Sequence, residues 1–184
     1  MDAETDSTDP GRAGALRLAV IDLEQHVARG GWDAPVAVFA LVRTNDAVER
    51  SPELADQLPS DALALARDNP HHLTSIEQDG LPSADDLEQL LAQLAWPETV
   101  DGAAVVVERI VVPPEAAAEA DAMTVEQLME HPQRQDVRIA VGVLRTGESW
   151  CALRTRAHDS DDAVGGSPDA VPGLVEALRA TFAP

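Results

Sequence analysis

Residues 36–43, VAVFALVR, place apolar side chains at consecutive positions. Neighbouring side chains of a strand point to opposite faces. This segment is therefore apolar on both faces and reads as a central strand that needs cover on each side. Residues 102–112, GAAVVVERIVV, form the strongest strand of the sequence, and Pro113-Pro114 ends it. A chain with such strands must build a sheet and lay other elements against it.

The cover is also legible. In residues 13–29, Leu16, Val20, Leu23 and Val27 recur at helical spacing, and Gly30-Gly31 stop the helix. Residues 46–68 predict one or two short helices, and residues 71–78 a weaker strand. Ser83 is read as a helix cap with Asp86 as its capping-box partner, ahead of the stripe Leu87, Leu90, Leu91 and Leu94. Thr124 with Gln127 makes a second capping box. Residues 136–145 and 148–156 form a hairpin around Thr146-Gly147. With a two-residue turn, Val141 faces Ala152, Ile139 faces Arg154 and Val137 faces Arg156. A polar loop then spans residues 158–169, and Pro172 opens a last helix whose buried face is Leu174, Val175, Leu178 and Phe182.

The expected fold class is α+β: a mixed, mainly antiparallel sheet of about five strands covered by N-terminal, middle and C-terminal helices. Residues 1–12, MDAETDSTDPGR, are read as a disordered acidic tail, and residues 13–184 as a single domain.

The formal net charge is −20, from 33 acids against 13 basic residues, every one of them arginine. Such a field repels phosphate backbones and anionic lipid, so no nucleic-acid or membrane partner is expected. A partner with a basic or apolar segment fits better. No apolar run approaches the length of about 18 residues that a membrane span requires, and no signal-like stretch opens the chain. The single cysteine, Cys151, excludes an internal disulfide and a multi-cysteine metal site. A cytoplasmic location is expected.

No catalytic residue, metal site or cofactor is assigned. Phosphate-loop, dinucleotide and nucleophile-elbow motifs are missing from the sequence. His71 and His72, near Glu77 and Asp79, point to opposite faces of a strand and so do not converge on one ion. Cys151 sits in mid-strand as packing. Asp159, Asp161 and Asp162 are read as a solvated acidic loop without the glycine and closing glutamate of a calcium site. Trp32 and Trp96, at element ends, suit half-buried rings whose N–H meets solvent or an acceptor. The one ligand site that the residues suggest is a set of strand arginines, Arg109, Arg154 and Arg156, because guanidinium binds carboxylate or phosphate through paired hydrogen bonds. The plainer reading, which the composition favours, is that these arginines reach the sheet edge or pair with some of the chain's 33 acids.

The segments EQHVARGGWDAPVAVFALV (24–42), LTSIEQDGLP (73–82), LAWPETVDGAAVVVERIVVPP (94–114), HPQRQDVRIAVGVLRTGESWCALR (131–154) and VPGLVEALRATF (171–182) resemble, in order, an uncharacterised actinobacterial family. Its members are acidic cytoplasmic proteins of about this length with no assigned activity. The resemblance implies an actinobacterial origin and supplies no functional residue.

Two functions follow as expectations. The first is a non-enzymatic interaction or adaptor module. The alternative is a small anionic-ligand-binding protein or enzyme that uses Arg109, Arg154 and Arg156. Homodimerisation through a strand edge stays open beside both.

Overall fold

A computed structural model describes residues 9–183. Residues 1–8, the greater part of the expected tail, lie outside it. Residues 9–12 belong to the first helix instead. Asp9 caps it by accepting the Gly11 N–H at 2.7 Å, and Pro10, which has no N–H to leave unpaired, takes the first helical position. This helix, α1, runs Pro10–Ala28.

Strand β1 (Ala37–Arg43) follows, then α2 (Thr44–Arg50), a 3-10 turn at Pro52–Asp56, α3 (Ser60–Asp68) and strand β2 (Leu73–Glu77). Helix α4 spans only Leu87–Ala92, capped by Asp86 rather than Ser83, since the Asp86 carboxylate takes the Gln89 N–H at 2.8 Å. Strand β3 is Gly102–Val111. Two short helices, α5 (Ala117–Ala120) and α6 (Val125–Met129), lead to β4 (Gln135–Leu144). The Thr124/Gln127 capping box is present at α6. Strands β5 (Ser149–Thr155) and β6 (Gly165–Ser167) and helix α7 (Pro172–Ala180) complete the order.

The fold class is α+β, and the sheet has six strands in the order β2-β1-β3-β4-β5-β6, not five. Every adjacent pair is antiparallel, so the crossovers create no parallel neighbours. The additional strand, Gly-Gly-Ser, lacks any apolar alternation to announce it. Its glycines serve close approach: a Cβ at Gly166 would stand 2.5 Å from the Cys151 carbonyl oxygen.

The hairpin register differs from expectation by one residue. Leu144 and Glu148 close a three-residue loop, with Gly147 at φ 109°. A glycine in that region closes a three-residue hairpin loop at little steric cost. The shift sets Val141 against Cys151, Ile139 against Leu153 and Arg138 against Arg154. A one-residue slip exchanges the faces, so it changes which side chains meet.

Each face of the sheet has its own cover. Helix α1 lays Leu16, Ala19, Val20 and Leu23 on Phe39, Leu41, Ala104, Val106, Ala140 and Ala152. Small residues line this seam, and a Cβ at Gly142 would meet Val20 Cγ2 at 2.5 Å. Across the sheet, Leu90 and Leu91 of α4 and Val175 and Leu178 of α7 cover Val38, Val105, Val107, Ile139, Val141 and Cys151.

Strand β3 outruns β1. Gly102–Val106 pairs with both neighbours, whereas residues 107–111 pair with β4 alone. Continuing the β1 register backward would set Pro35 opposite Glu108, and proline has no N–H to give a ladder. The far half of β3 thus keeps an open edge.

Candidate functional site

The sheet register creates a row of charges under the end of α1. Glu108 of β3, Arg138 of β4 and Arg154 of β5 stand side by side. Above them, Glu24 of α1 is completely buried. Arg154 donates to it through both Nε, at 2.7 Å, and Nη2, at 2.9 Å. This forked geometry is the strong form of a guanidinium–carboxylate pair. Arg154 also donates Nη1 to Asp159 at 3.2 Å and Nη2 to Asp161 at 2.6 Å. Glu24 first, against burial, and then Asp161 hold its pKa above the ordinary arginine value.

Arg138, also fully buried, places Nη2 on the Gly31 carbonyl at 2.5 Å and on Glu108 at 3.1 Å, with Nη1 3.7 Å from Glu24. Its guanidinium lies 4.4 Å from the centre of the Trp32 ring. The Trp32 indole N–H donates to Asp159 at 3.0 Å, and this bond is the main reason that the Asp159 carboxyl lies below its usual range. Asp159, Asp161 and Asp162 do lie in an exposed loop, but Asp159 and Asp161 also serve as counter-ions of a buried arginine; of the three only Asp162 makes no ion pair among the described residues.

Of the arginines expected to hold an anion, Arg154 has all its donor nitrogens engaged by the chain's own carboxylates. Arg156 is half-exposed, paired with Asp33 at 3.3 Å and Asp136 at 3.5 Å. Arg109 alternates with Glu108 and so projects from the opposite face, where no ion pair engages it among the described residues. The structure brings Arg154 and Arg156 to one end of one face; Arg109 starts from the other, yet it borders with Arg156 a hollow of about 350 Å³ that Asp33, Glu108 and Asp136 also line.

Arg109 also borders a groove between α4, α7 and the open half of β3. Two contiguous hollows, of about 460 and 600 Å³, share Asp86, Leu87 and Arg109. Val107, Ile139, Leu91, Leu174 and Ala177 give the first an apolar floor and walls. Val36, Leu81, Pro82 and Leu90 extend it toward β1. The acids at its border are Asp85, Asp86 and Glu88.

The other sequence candidates take structural places. His72 Nδ1 lies 2.8 Å from the Thr44 hydroxyl, and burial lowers its pKa. Among the described residues no group of three His, Cys, Asp or Glu is arranged to hold a metal. Cys151 is fully buried, which pushes its thiol pKa up and away from nucleophilic use. Trp96 donates to the Thr181 hydroxyl at 2.9 Å and stacks on Phe182. No helix among the described residues is long and apolar enough to cross a membrane.

Sequence reasoning passed over Glu24 and Arg138. Glu24 follows Val20 by four residues and so falls inside the apolar stripe of α1, a position that demands a partner. Arg138 alternates with Ala140, Gly142 and Leu144 on one face of β4; the two-residue turn concealed its pairing with Arg154.

The fold and its groove define an α+β domain with one antiparallel sheet, helices on both faces and an acid-rimmed apolar cleft beside a strand edge. The chain belongs to the family described as PPA1309-like protein, whose model matches residues 16–183. No curated protein and no solved structure matches the chain.

Proposed function

We propose that the protein is a non-enzymatic interaction module whose α4/α7 groove receives a basic, amphipathic segment of a partner protein. The observation that carries this reading is the groove itself, an apolar floor under a rim on which Asp85, Asp86 and Glu88 outnumber Arg109. A partner's apolar side chains gain by leaving water there, and its basic residues meet the rim and the field of a chain with net charge −20. The module works in the cytoplasm of an actinobacterium, away from nucleic acid and membrane.

The alternative, an anionic ligand gripped by Arg109, Arg154 and Arg156, draws less support. Arg154 already serves Glu24, Asp159 and Asp161, and Arg156, which shares a hollow with Arg109, is paired with Asp33 and Asp136.

A photo-crosslinking residue at Leu174 tests the groove in living cells, with Glu49 on α2 as the control position. The crosslinked partner peptide is expected to be net positive, with apolar residues three and four apart. Crosslinks to an acidic segment, to a second copy of this chain, or to nothing beyond the Glu49 control would refute the proposal.

A further inference from the structure

At the opposite end of the sheet from the buried charge cluster, another hollow has a different character. Its volume is about 280 Å³, and Arg12, Arg43, His71 and Arg145 line it with Leu73 and Leu144. Asp101 is the one carboxylate in the lining among the described residues. In a chain with 33 acids and 13 arginines, this small cavity gathers three arginines and a histidine on its lining.

Each arginine is fixed from behind. Arg12 donates Nε to the buried Glu148 at 2.8 Å. Burial alone would raise the pKa of that carboxyl, but the Thr146 hydroxyl, Arg12 and two backbone N–H groups outweigh it and hold it below the ordinary value. Arg43 places Nη2 2.6 Å from Asp46 and Nε 3.3 Å from Asp101. Arg145 donates Nε to the Val100 carbonyl at 2.7 Å and Nη2 to that of Pro97 at 2.9 Å. Arg12 also places Nη1 3.4 Å from Asp9, and the Arg145 guanidinium lies 4.6 Å from the Phe182 ring centre, turned to the carbonyls of residues 96–100. Nη2 of Arg12 and Nη1 of Arg43 have no partner among the described residues. Leu73 and Leu144 are buried beneath and supply an apolar surface.

We infer that this cavity binds a small organic oxyanion, a carboxylate or phosphate head carrying a short apolar tail. The guanidinium N–H groups and His71 take the head, and the leucines take the tail. The volume sits near the lower end of ligand cavities, on the order of 300 Å³, which restricts the ligand to a few heavy atoms beyond the head group. Asp9, Glu148, Asp46 and Asp101 offset the charge of Arg12 and Arg43, so the head group is held by their unengaged N–H groups and His71 rather than by net charge. The site is separate from the groove, and neither proposal depends on the other.

Titration of the full chain with hexanoate and hexyl phosphate, followed by calorimetry and by the arginine Nε–H resonances, provides the test, with hexylammonium as the opposite-charge control. At least one of the anions is expected to bind saturably and to shift the resonances of Arg12 and Arg43, while hexylammonium does not bind. Arg43 is half-exposed, so Arg43→Gln keeps the fold; it should weaken the anion about tenfold, and Arg43→Glu should abolish binding. Melting temperatures of both variants confirm folding. Saturation by neither anion, equal binding of hexylammonium, or unchanged affinity in folded Arg43→Glu would overturn the inference.

Discussion

Glu24→Ala is expected to lower the unfolding free energy by about 3–5 kcal/mol, because it leaves buried guanidinium charge without its central counter-ion. Glu24 has no exposed surface, and both of its oxygens serve Arg154. Arg138, equally buried, would keep Glu108, the Gly31 carbonyl and the Trp32 ring. Arg154 keeps Asp159 and Asp161, which stand at the surface and move the loss toward the lower end of the range. Removing the charges together has a different cost. Replacing Glu24, Arg138 and Arg154 by apolar residues of similar volume should be less damaging than Glu24→Ala alone, since no fully buried charge is left unpaired and Glu108, which loses Arg138, keeps some exposure and the Asp33 N–H. Denaturant midpoints of both variants decide the matter. A loss below about 1 kcal/mol for Glu24→Ala would place the ion pair in the range of exposed surface pairs and deny it a structural role.

Leu178→Ala is expected to cost about 2–5 kcal/mol. Leu178 is fully buried within the apolar cluster that joins α7, α4 and the sheet. Truncation removes its transfer free energy and leaves a cavity that a short helix pinned by few other side chains closes only in part. Helix α7 supplies Leu174 and Ala177 to the groove, so the variant should also free that wall and speed amide exchange along Pro172–Ala180 before global unfolding. Thermal melts and hydrogen exchange measure the two effects. Retention of wild-type stability would mean that α7 is held by something other than the Val175/Leu178 seam.

The sequence announces elements whose cause is local. The apolar stripe of α1, the doubly apolar β1, the run in β3 and the Thr124/Gln127 box each depend on residues a few positions apart, and each appears in the structure. What escaped depends on distance along the chain. Strand β6 exists because glycines fit against Cys151 and Trp150, a reason invisible in Gly-Gly-Ser itself. The hairpin register turns on one glycine at positive φ, and its one-residue slip hid the meeting of Arg138 and Arg154. Glu24 and Arg154 lie 130 positions apart. A charge within an apolar helical stripe predicts that a partner exists, but only the assembled sheet names it. The groove is similarly non-local, since its walls come from α4 and α7 and its edge from the point where Pro35 ends the β1 ladder.

The arginines that sequence reading singled out thus divide between two tasks. Arg154 and Arg156 are engaged by the protein's own acids, which tie α1, the Trp32 segment and the loop after β5 to the sheet. Arg109 stands at the cleft on the other face. The direct measurement is a titration of isotopically labelled protein with a short amphipathic Leu/Arg peptide, read by backbone amide shifts and repeated with a Leu/Glu peptide. Saturable shifts confined to the surroundings of Leu87, Leu91, Arg109, Leu174 and Ala177, produced by the basic peptide alone, are the expected result. Shifts centred on Trp32 and Asp159, an equal response to the acidic peptide, or no response at all would contradict a groove built for a basic segment.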